Sequence, residues 1–367
     1  MFSFFKKKPL PPATLWFKTR VRLFWEWYES VADRFYAAIE AKRCPELADE
    51  VSKRVDEFLP EMQWVFGPGE NNVGHSFTLT GEGVVHRQLL CEYWLSRAPR
   101  ITGWTFYDAR QPGQFSPGMS IEFGSRRFAF GDLKITPTVN EEEQRVNILA
   151  WHPEFQFCDE KMRYMVLFLF LDELLGERGT PLWIGSIDIS DAIQPLAISP
   201  GELKNFAETA NKKYGWEKDT RVLLGSVYQI QKVNGTFPRS DVTVGSTVNF
   251  KLIDEYTRSR GSMKNPLARL GAEFVFISFD IARLERGREA HSRGEIEDAI
   301  SSALGAEASG RSIGGAVSPK SAYIDCLILD GPNSIDIIRR MAKEQDLPKG
   351  TMLHYFAIKS GKPQRII

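Results

Sequence analysis

The sequence predicts an α+β protein built from a helical N-terminal arm, a mainly antiparallel sheet covered by helices, and a ferredoxin-like C-terminal module. Apolar residues recur every three or four positions near the N-terminus, apolar and polar residues alternate over short segments after residue 61, and strand-like and helix-like segments alternate after residue 274. At 367 residues the chain is longer than one hydrophobic core usually supports. We therefore expect four segments: a basic leader and helical arm at 1–60, an α+β body at 61–197, a connecting α/β segment at 198–265, and the ferredoxin-like module at 266–367.

The composition is that of a folded protein without a dominant charge. Hydrophobic residues make up 43% and charged residues 26%, which excludes a wholly disordered chain. Lys plus Arg equals Asp plus Glu at 47 each, so no global field attracts the protein to nucleic acid or to an acidic membrane. The cysteines form no CxxC pair, which suits a reducing compartment, and they are Cys44, Cys91, Cys158 and Cys326. Since Lys6 to Lys8 follow the first apolar residues, the N-terminus does not have the order of a signal peptide, and we expect a cytoplasmic location.

Residues 13–43 are predicted to form a helix with one apolar seam. The seam steps by four and three through Phe17, Val21, Phe24, Tyr28, Val31, Phe35 and Ala38. Because this is too much apolar surface to leave in water, we expect it to be buried. Three destinations are open, namely the chain's own body, which we favour, a second subunit of a homo-oligomer, and a membrane surface. The candidate interaction residues of this seam are Phe17, Val21, Phe24 and Tyr28.

The body is predicted from alternating strands and amphipathic helices. We expect helices at 46–58 and 84–97, and strands at 62–66, 74–79, 101–106, 120–123, 127–130, 133–136 and 145–151. The longest apolar run, at 165–171, predicts a central helix buried on all sides, because so short a run cannot cross a bilayer. A breaker at 179–181 then leads to a largely buried strand at 182–189.

The C-terminal half begins after a boundary at 195–200, where Ser199 is expected to cap a helix at 202–213. Strands at 222–231 and 247–253 follow, with a short helix at 252–260. The remaining strands are predicted at 274–279, 312–317, 322–329 and 352–358, and the remaining helices at 295–304 and 334–344. Their β-α-β-β-α-β order is the ferredoxin-like plan.

Two short motifs occur, one in each half of the chain. The first consists of Ala98, Pro99 and Trp104, and the second consists of Gly314, Gly315, Tyr323 and Asp325. With these motifs the chain resembles uncharacterised bacterial proteins that have similarly patterned N- and C-terminal modules. The resemblance extends over much of residues 60–367. It implies a bacterial origin and carries no assigned activity.

Strong catalytic motifs are missing from the sequence. It contains no HExxH, P-loop, calcium loop, nucleophile elbow or kinase signature. No two histidines are spaced to meet on one element, so we expect neither a metal nor another cofactor. His152, Glu154 and Cys158 are similar to the opening of a zinc deaminase motif, but the Pro-Cys-x-x-Cys partner is missing.

Two weaker candidate sites remain. Arg311 and Ser312 lie in a glycine-rich segment that could bind an anion, although a loop explains the glycines equally well. His152 and Glu154 could meet two loops in a cleft between the modules. The loops concerned are 111–118 and 234–241.

From these patterns we expect a cytosolic bacterial interaction or regulatory protein without a recognisable catalytic site, which presents a surface to a protein partner. The alternative is an unrecognised hydrolase or transferase with a cleft between the modules. Nucleic-acid binding is not expected, because the basic segment at 283–288 has mixed charges and the C-terminal strands lack the aromatic RNP pattern. Membrane-surface binding is the least favoured destination of the arm.

Overall fold

The computed structural model describes residues 15–113, 116, 118–124, 126–216, 218, 225–230 and 235–367. These residues form an α+β fold with an N-terminal helical arm, which confirms the predicted fold class. The helices are α1 (Phe17–Glu40), α2 (Ala48–Phe58), α3 (Val85–Ser96), α4 (Glu160–Leu175), α5 (Gly179–Trp183), α6 (Leu203–Tyr214), α7 (Phe250–Arg258), α8 (Glu289–Ala306) and α9 (Pro332–Glu344). None of these described helices is both long enough and apolar enough to span a membrane.

The strands, again in chain order, form four sheets. They are β1 (Gln63–Pro68), β2 (His75–Thr80), β3 (Trp104–Tyr107), β4 (Ser120–Phe123), β5 (Arg126–Ala129), β6 (Lys134–Asn140), β7 (Arg145–Trp151), β8 (Ile184–Ile189), β9 (Ser226–Gln229), β10 (Val244–Thr247), β11 (Glu273–Asp280), β12 (Gly310–Val317), β13 (Ser321–Ile328), β14 (Met352–Tyr355) and β15 (Gln364–Arg365). The sheet orders are β1-β2-β3, β4-β5, β6-β7-β8 and β15-β14-β11-β13-β12-β10-β9.

The arm helix α1 is part of a hydrophobic core. Its seam is buried as the spacing predicts except at Val31, which is half-buried, and the rings of Phe24 and Tyr28 lie 5.9 and 5.2 Å from the ring of Phe77 on β2. The indole of Trp25 stacks on that of Trp94 in α3 at 4.5 Å. Of the three destinations left open by the sequence, α1 therefore occupies the chain's own body.

A seven-stranded sheet dominates the C-terminal half, and all its neighbouring strands are antiparallel. Within it the chain order β11-α8-β12-β13-α9-β14 has the predicted β-α-β-β-α-β succession. Strands β9, β10 and β15 widen the sheet at its two edges, and the ferredoxin-like assignment stays a prediction. Helices α8 and α9 cover one face through side chains such as Ile300 and Ile338, which share a core with Ile277 and Ile324.

The other face of this sheet shares a core with α1. That core joins α1, α2, α3 and the sheet β1-β2-β3 to side chains such as Phe274, Phe276 and Leu327 of the seven-stranded sheet. Strands β1 and β2 pair antiparallel, whereas β2 and β3 are parallel. Because one continuous core connects them, the described residues of 15–107 and 226–367 form one unit, which we call the main body.

The described residues of 119–216 form a second unit, which we call the inserted unit. It has its own core, made by strands β5 to β8 and helices α4 to α6. The cores thus divide the chain differently from the predicted segments 61–197 and 198–265. The physical reason is that β1 to β3 pack with α1 in the main body, whereas α6 packs with α4 in the inserted unit.

Two predicted elements are wrong in detail. The strand predicted at 247–253 is interrupted, because the Asn249 side chain accepts a hydrogen bond from the backbone N–H of Leu252 at 3.3 Å and so caps α7. The breaker predicted at 179–181 lies within α5, where Pro181 falls in the first helical turn. The strand that follows therefore begins at Ile184 rather than at 182.

Candidate functional site

Helix α4 exposes a stripe of large apolar side chains. The sequence predicted burial on all sides, and this prediction is wrong, because Met165, Phe168 and Leu169 retain 39%, 46% and 42% of their accessible surface. Their spacing of three and four residues places them on one side of the helix. The opposite side packs into the core of the inserted unit through Val166 and Phe170, among others. An all-apolar run carries no periodicity, so the sequence could not show which side is free.

Two residues of this stripe, Phe168 and Leu169, line a groove of about 780 Å³ between the two units, which we call the inter-unit groove. The main body contributes Thr80, Glu82 and Gly83, and the segment leaving β3 contributes Arg110 and Gln111. The apolar walls come from the inserted unit and include Met119, Ile121, Phe130, Phe168, Leu169, Ile184 and Ile187. Ligand sites often lie between structural units, so this groove is the strongest candidate site in the described part of the chain.

One end of the inter-unit groove is acidic. Four carboxylates line it, and they belong to Glu82, Asp172, Glu173 and Glu177. Arg110 also lines the groove, and its guanidinium pairs with Glu82 at 2.5 Å. No positively charged side chain of the described residues forms an ion pair with Asp172 or Glu173. The groove therefore combines apolar walls with a net negative end.

Glu177 fastens the inserted unit to the main body. Its buried carboxylate accepts hydrogen bonds from the Thr80 hydroxyl at 2.5 Å, the Gly83 N–H at 2.8 Å and the Gln88 side-chain amide at 3.1 Å. The backbone N–H of Arg110 also donates to it, at 3.1 Å. Four donors satisfy this carboxylate, so its role at the groove is to hold the two units together.

Arg178, the next residue, makes the second set of contacts between the units. Its guanidinium lies 2.9 Å from the Asp108 carboxylate and 3.4 Å from that of Glu92, and Glu92 also pairs with Arg311 at 2.9 Å. Burial raises the pKa of Asp108, while the Arg178 guanidinium favours its charged form. We call Glu177 and Arg178 the clasp, because together they set the angle at which the groove opens.

A larger cavity, of about 1100 Å³, lies on the other side of Arg110 and Gln111. Charged side chains of both signs line it, and Lys204 pairs with Glu208 at 3.9 Å. It has neither a continuous apolar wall nor a single sign of charge. Its composition therefore indicates no particular ligand.

The four seam residues proposed for a partner surface lie inside the chain. Phe17, Val21, Phe24 and Tyr28 have no accessible surface. Burial raises the pKa of the Tyr28 phenol, as expected for a group in an apolar core. A partner cannot reach these side chains while α1 stays packed.

Arg311 and Ser312 lie in strand β12, which begins two residues before the strand predicted at 312–317 and replaces the loop offered as the alternative. Arg311 pairs with Glu92, and the Ser312 hydroxyl donates to the Glu297 carboxylate. The Ser312 N–H donates to the Ser301 hydroxyl at 3.0 Å. Because the strand and these contacts engage both residues, they form no open anion site.

His152 and Glu154 make described contacts within the inserted unit, and Glu154 pairs with Arg126 at 3.4 Å. The His152 ring is buried, where its Nδ1 accepts from the Glu154 N–H at 3.1 Å and its Nε2 lies 3.0 Å from the Ala129 carbonyl, so the hydrogen-bond network assigns the proton to Nε2. Burial lowers the pKa of His152. The described part of the loop at 234–241 instead reaches the seven-stranded sheet, where Arg239 pairs with Asp325. Residues 114, 115, 117 and 234 of the two loops lie outside the described residues, so the cleft stays a prediction.

Sequence reasoning missed a contact between Ser278 of β11 and His354 of β14. The Ser278 hydroxyl lies 2.9 Å from His354 Nε2, and the imidazole stacks on Phe276 with ring centroids 4.7 Å apart. Burial lowers the pKa of His354 to about 4, so the ring is a weak base. Its Nδ1 has no hydrogen-bond partner among the described residues, whereas a catalytic base is usually held by a third group. The contact is therefore a hydrogen bond between side chains of two neighbouring strands.

Comparisons with known proteins assign no family to this fold and groove. No family model, no curated protein and no solved structure matches the chain. The structure itself shows an α+β protein of two units that are clasped together around a groove.

Proposed function

We propose that the protein is a cytoplasmic interaction or regulatory protein of bacterial origin that binds a segment of a partner protein in the inter-unit groove. The observation that carries the proposal is that Phe168 and Leu169 of the exposed apolar stripe of α4 line a concave surface, with Met165 exposed one turn before them. Contiguous exposed apolar side chains with a polar rim are typical of protein-binding sites. Burying one such side chain contributes about 1.5–3 kcal/mol, so a partner that covers the stripe gains affinity there.

The chemistry of the groove supports binding rather than catalysis. No histidine or cysteine of the described residues lines it, and its most buried carboxylate, that of Glu177, is engaged by four donors. The rival reading as a hydrolase or transferase would need a nucleophile beside a base. The described cysteines are all free thiols, which supports a reducing compartment.

Photo-crosslinking in cells of the natural host tests the proposal. A photoreactive phenylalanine analogue placed at Phe168 should give one discrete adduct, identified by mass spectrometry. The matched control places the same group at Leu196, which is 90% exposed and does not line the groove. Adducts of equal yield at both positions, or none at Phe168, would overturn the proposal.

A further inference from the structure

We infer the chemistry of the partner: the inter-unit groove takes an amphipathic helix that carries Lys or Arg at one end, an inference that rests on the proposed function. The groove has two regions in line along α4. Phe168 and Leu169 provide the apolar region, and Asp172 and Glu173 follow one turn later on the same side of the helix. A partner must match both regions at once.

The apolar region favours a helical partner. Side chains three and four residues apart on α4 form ridges, and a second helix packs its own ridges between them. Ile121 and Ile187 line the groove together with Phe168, so a helix lying on α4 would also contact β4 and β8. Apolar residues of the partner at the same spacing would displace water from the whole stripe.

The acidic region calls for a cationic partner. Asp172 and Glu173 lie near the C-terminal end of α4, where the helix dipole is already negative and where the last turn has no basic residue. Two acidic residues at that end do not stabilise the helix itself. A Lys or Arg of a bound partner would compensate both the carboxylates and the dipole, which explains their placement in the groove.

Other ligands of similar charge fit less well. The described carboxylates, histidines and cysteines form no cluster of three or more that could hold a metal ion. A small organic cation would leave Phe168 and Leu169 in water, and the four carboxylates at the groove repel the phosphates of a nucleic acid. A basic amphipathic helix satisfies the apolar and the acidic region together.

Fluorescence polarisation with three synthetic peptides of about 18 residues, or five helical turns, tests this chemistry. The first peptide is an amphipathic helix of leucines and lysines, the second has its lysines replaced by glutamines, and the third is the first with a central proline. We expect the first to bind about five- to tenfold more tightly than the second, as two charge pairs would give, and the third to lose at least about tenfold. Binding of the first peptide should weaken with added salt.

Two variants of the full chain locate the effect. Replacing Asp172→Asn together with Glu173→Gln should lower the affinity for the basic peptide to that for the glutamine peptide. Phe168→Ser should weaken the binding of both the lysine peptide and the glutamine peptide at least about tenfold. The matched control is Glu141→Gln with Glu142→Gln, an equal charge change in the exposed turn between β6 and β7, which should leave binding unchanged.

The outcomes separate the two proposals. If the glutamine peptide binds as tightly as the lysine peptide but Phe168→Ser abolishes both, the groove binds a partner and the inferred charge is wrong. If no peptide binds while Phe168 still crosslinks, the inferred helix is wrong and the proposed function stands. If Phe168→Ser leaves peptide binding intact and Phe168 gives no crosslink, both proposals fail.

Discussion

Asp325 of β13 is wholly buried, and the Arg239 guanidinium that pairs with it lies 5.1 to 5.6 Å from the rings of Phe276, Tyr323 and Phe356. Replacing Arg239 by Met would leave a buried carboxylate without its counter-charge, which typically costs about 3–5 kcal/mol. We expect the free energy of unfolding, measured by urea titration at pH 7, to fall by this amount. Adding Asp325→Asn removes the unpaired charge and should recover part of the loss. A double variant no more stable than Arg239→Met would contradict this account.

The same pair predicts a pH dependence. Burial raises the pKa of Asp325 to about 6, above the value of about 3.9 for an unfolded aspartic acid. The folded state thus binds this proton more tightly, so the carboxyl destabilises the fold above pH 6, and this effect disappears as the pH falls from about 6 towards 4. Without Arg239 the pKa would rise further. The stability deficit of Arg239→Met should therefore be smaller at pH 5 than at pH 7, and equal deficits would contradict the prediction.

Contacts of this kind cannot be predicted from a single sequence. Arg239 and Asp325 are 86 positions apart, and nothing in the local pattern links them. In the turn-rich segment around Arg239, the sequence indicates a solvated loop. Likewise the clasp residues Glu177 and Arg178 were not identified, because charged side chains after a helix usually face water.

Helix α1 shows that the spacing of apolar residues can predict which side of a helix is buried. Replacing Phe24 by Ala would leave a cavity among the rings of Phe77 and Trp94, and such changes cost about 3–5 kcal/mol. We expect the midpoint of urea unfolding to fall accordingly, with the mass from light scattering unchanged. Glu29→Ala on the exposed side of α1 is the matched control and should stay within about 0.5 kcal/mol. A changed mass with unchanged stability would indicate that the seam serves a second subunit.

The contrast between α1 and α4 explains how much of the fold the sequence could predict. The seam of α1 repeats every three or four residues, so both the helix and its buried side followed from the pattern. In α4 the run from 165 to 171 is apolar throughout, so the helix was predicted and its free side was not. The candidate site lies on that free side. It was missed because its position depends on where the inserted unit meets the main body.

The stability of helix α7 depends on its N-cap residue, Asn249, which directly precedes the helix. The Asn249 side chain caps it, and the sequence predicted a strand there because a single cap is a weaker signal than an apolar run. Asn249→Ala should lower the free energy of unfolding by about 1 kcal/mol, whereas Asn249→Ser keeps an acceptor and should lose less. Chemical denaturation of the two variants checks the order. A serine variant as unstable as the alanine variant would show that the cap does not stabilise α7.

Along the whole molecule, the chain leaves the main body, forms the inserted unit and then returns to the main body. Two connections alone would let the units move against each other, since interfaces of this kind are often mobile. The clasp opposes this movement through buried, charge-assisted hydrogen bonds that the Glu177 carboxylate accepts and through the ion pairs of the Arg178 guanidinium. The width of the inter-unit groove therefore depends on residues that lie beside its apolar walls.

Replacing Arg178 by Met would remove the cation of the inserted unit that pairs with the Glu92 and Asp108 carboxylates, so the units should separate at this point. We expect a larger radius of gyration in X-ray scattering and weaker binding of the basic peptide at pH 7. Loss of the cation removes an interaction that lowers the pKa of Asp108, so this already elevated pKa should rise further in the variant. Arg126→Met removes the half-exposed pair with Glu154 and should change neither property. If Arg178→Met keeps both the wild-type radius and the wild-type affinity, then contacts other than the clasp hold the two units at their angle.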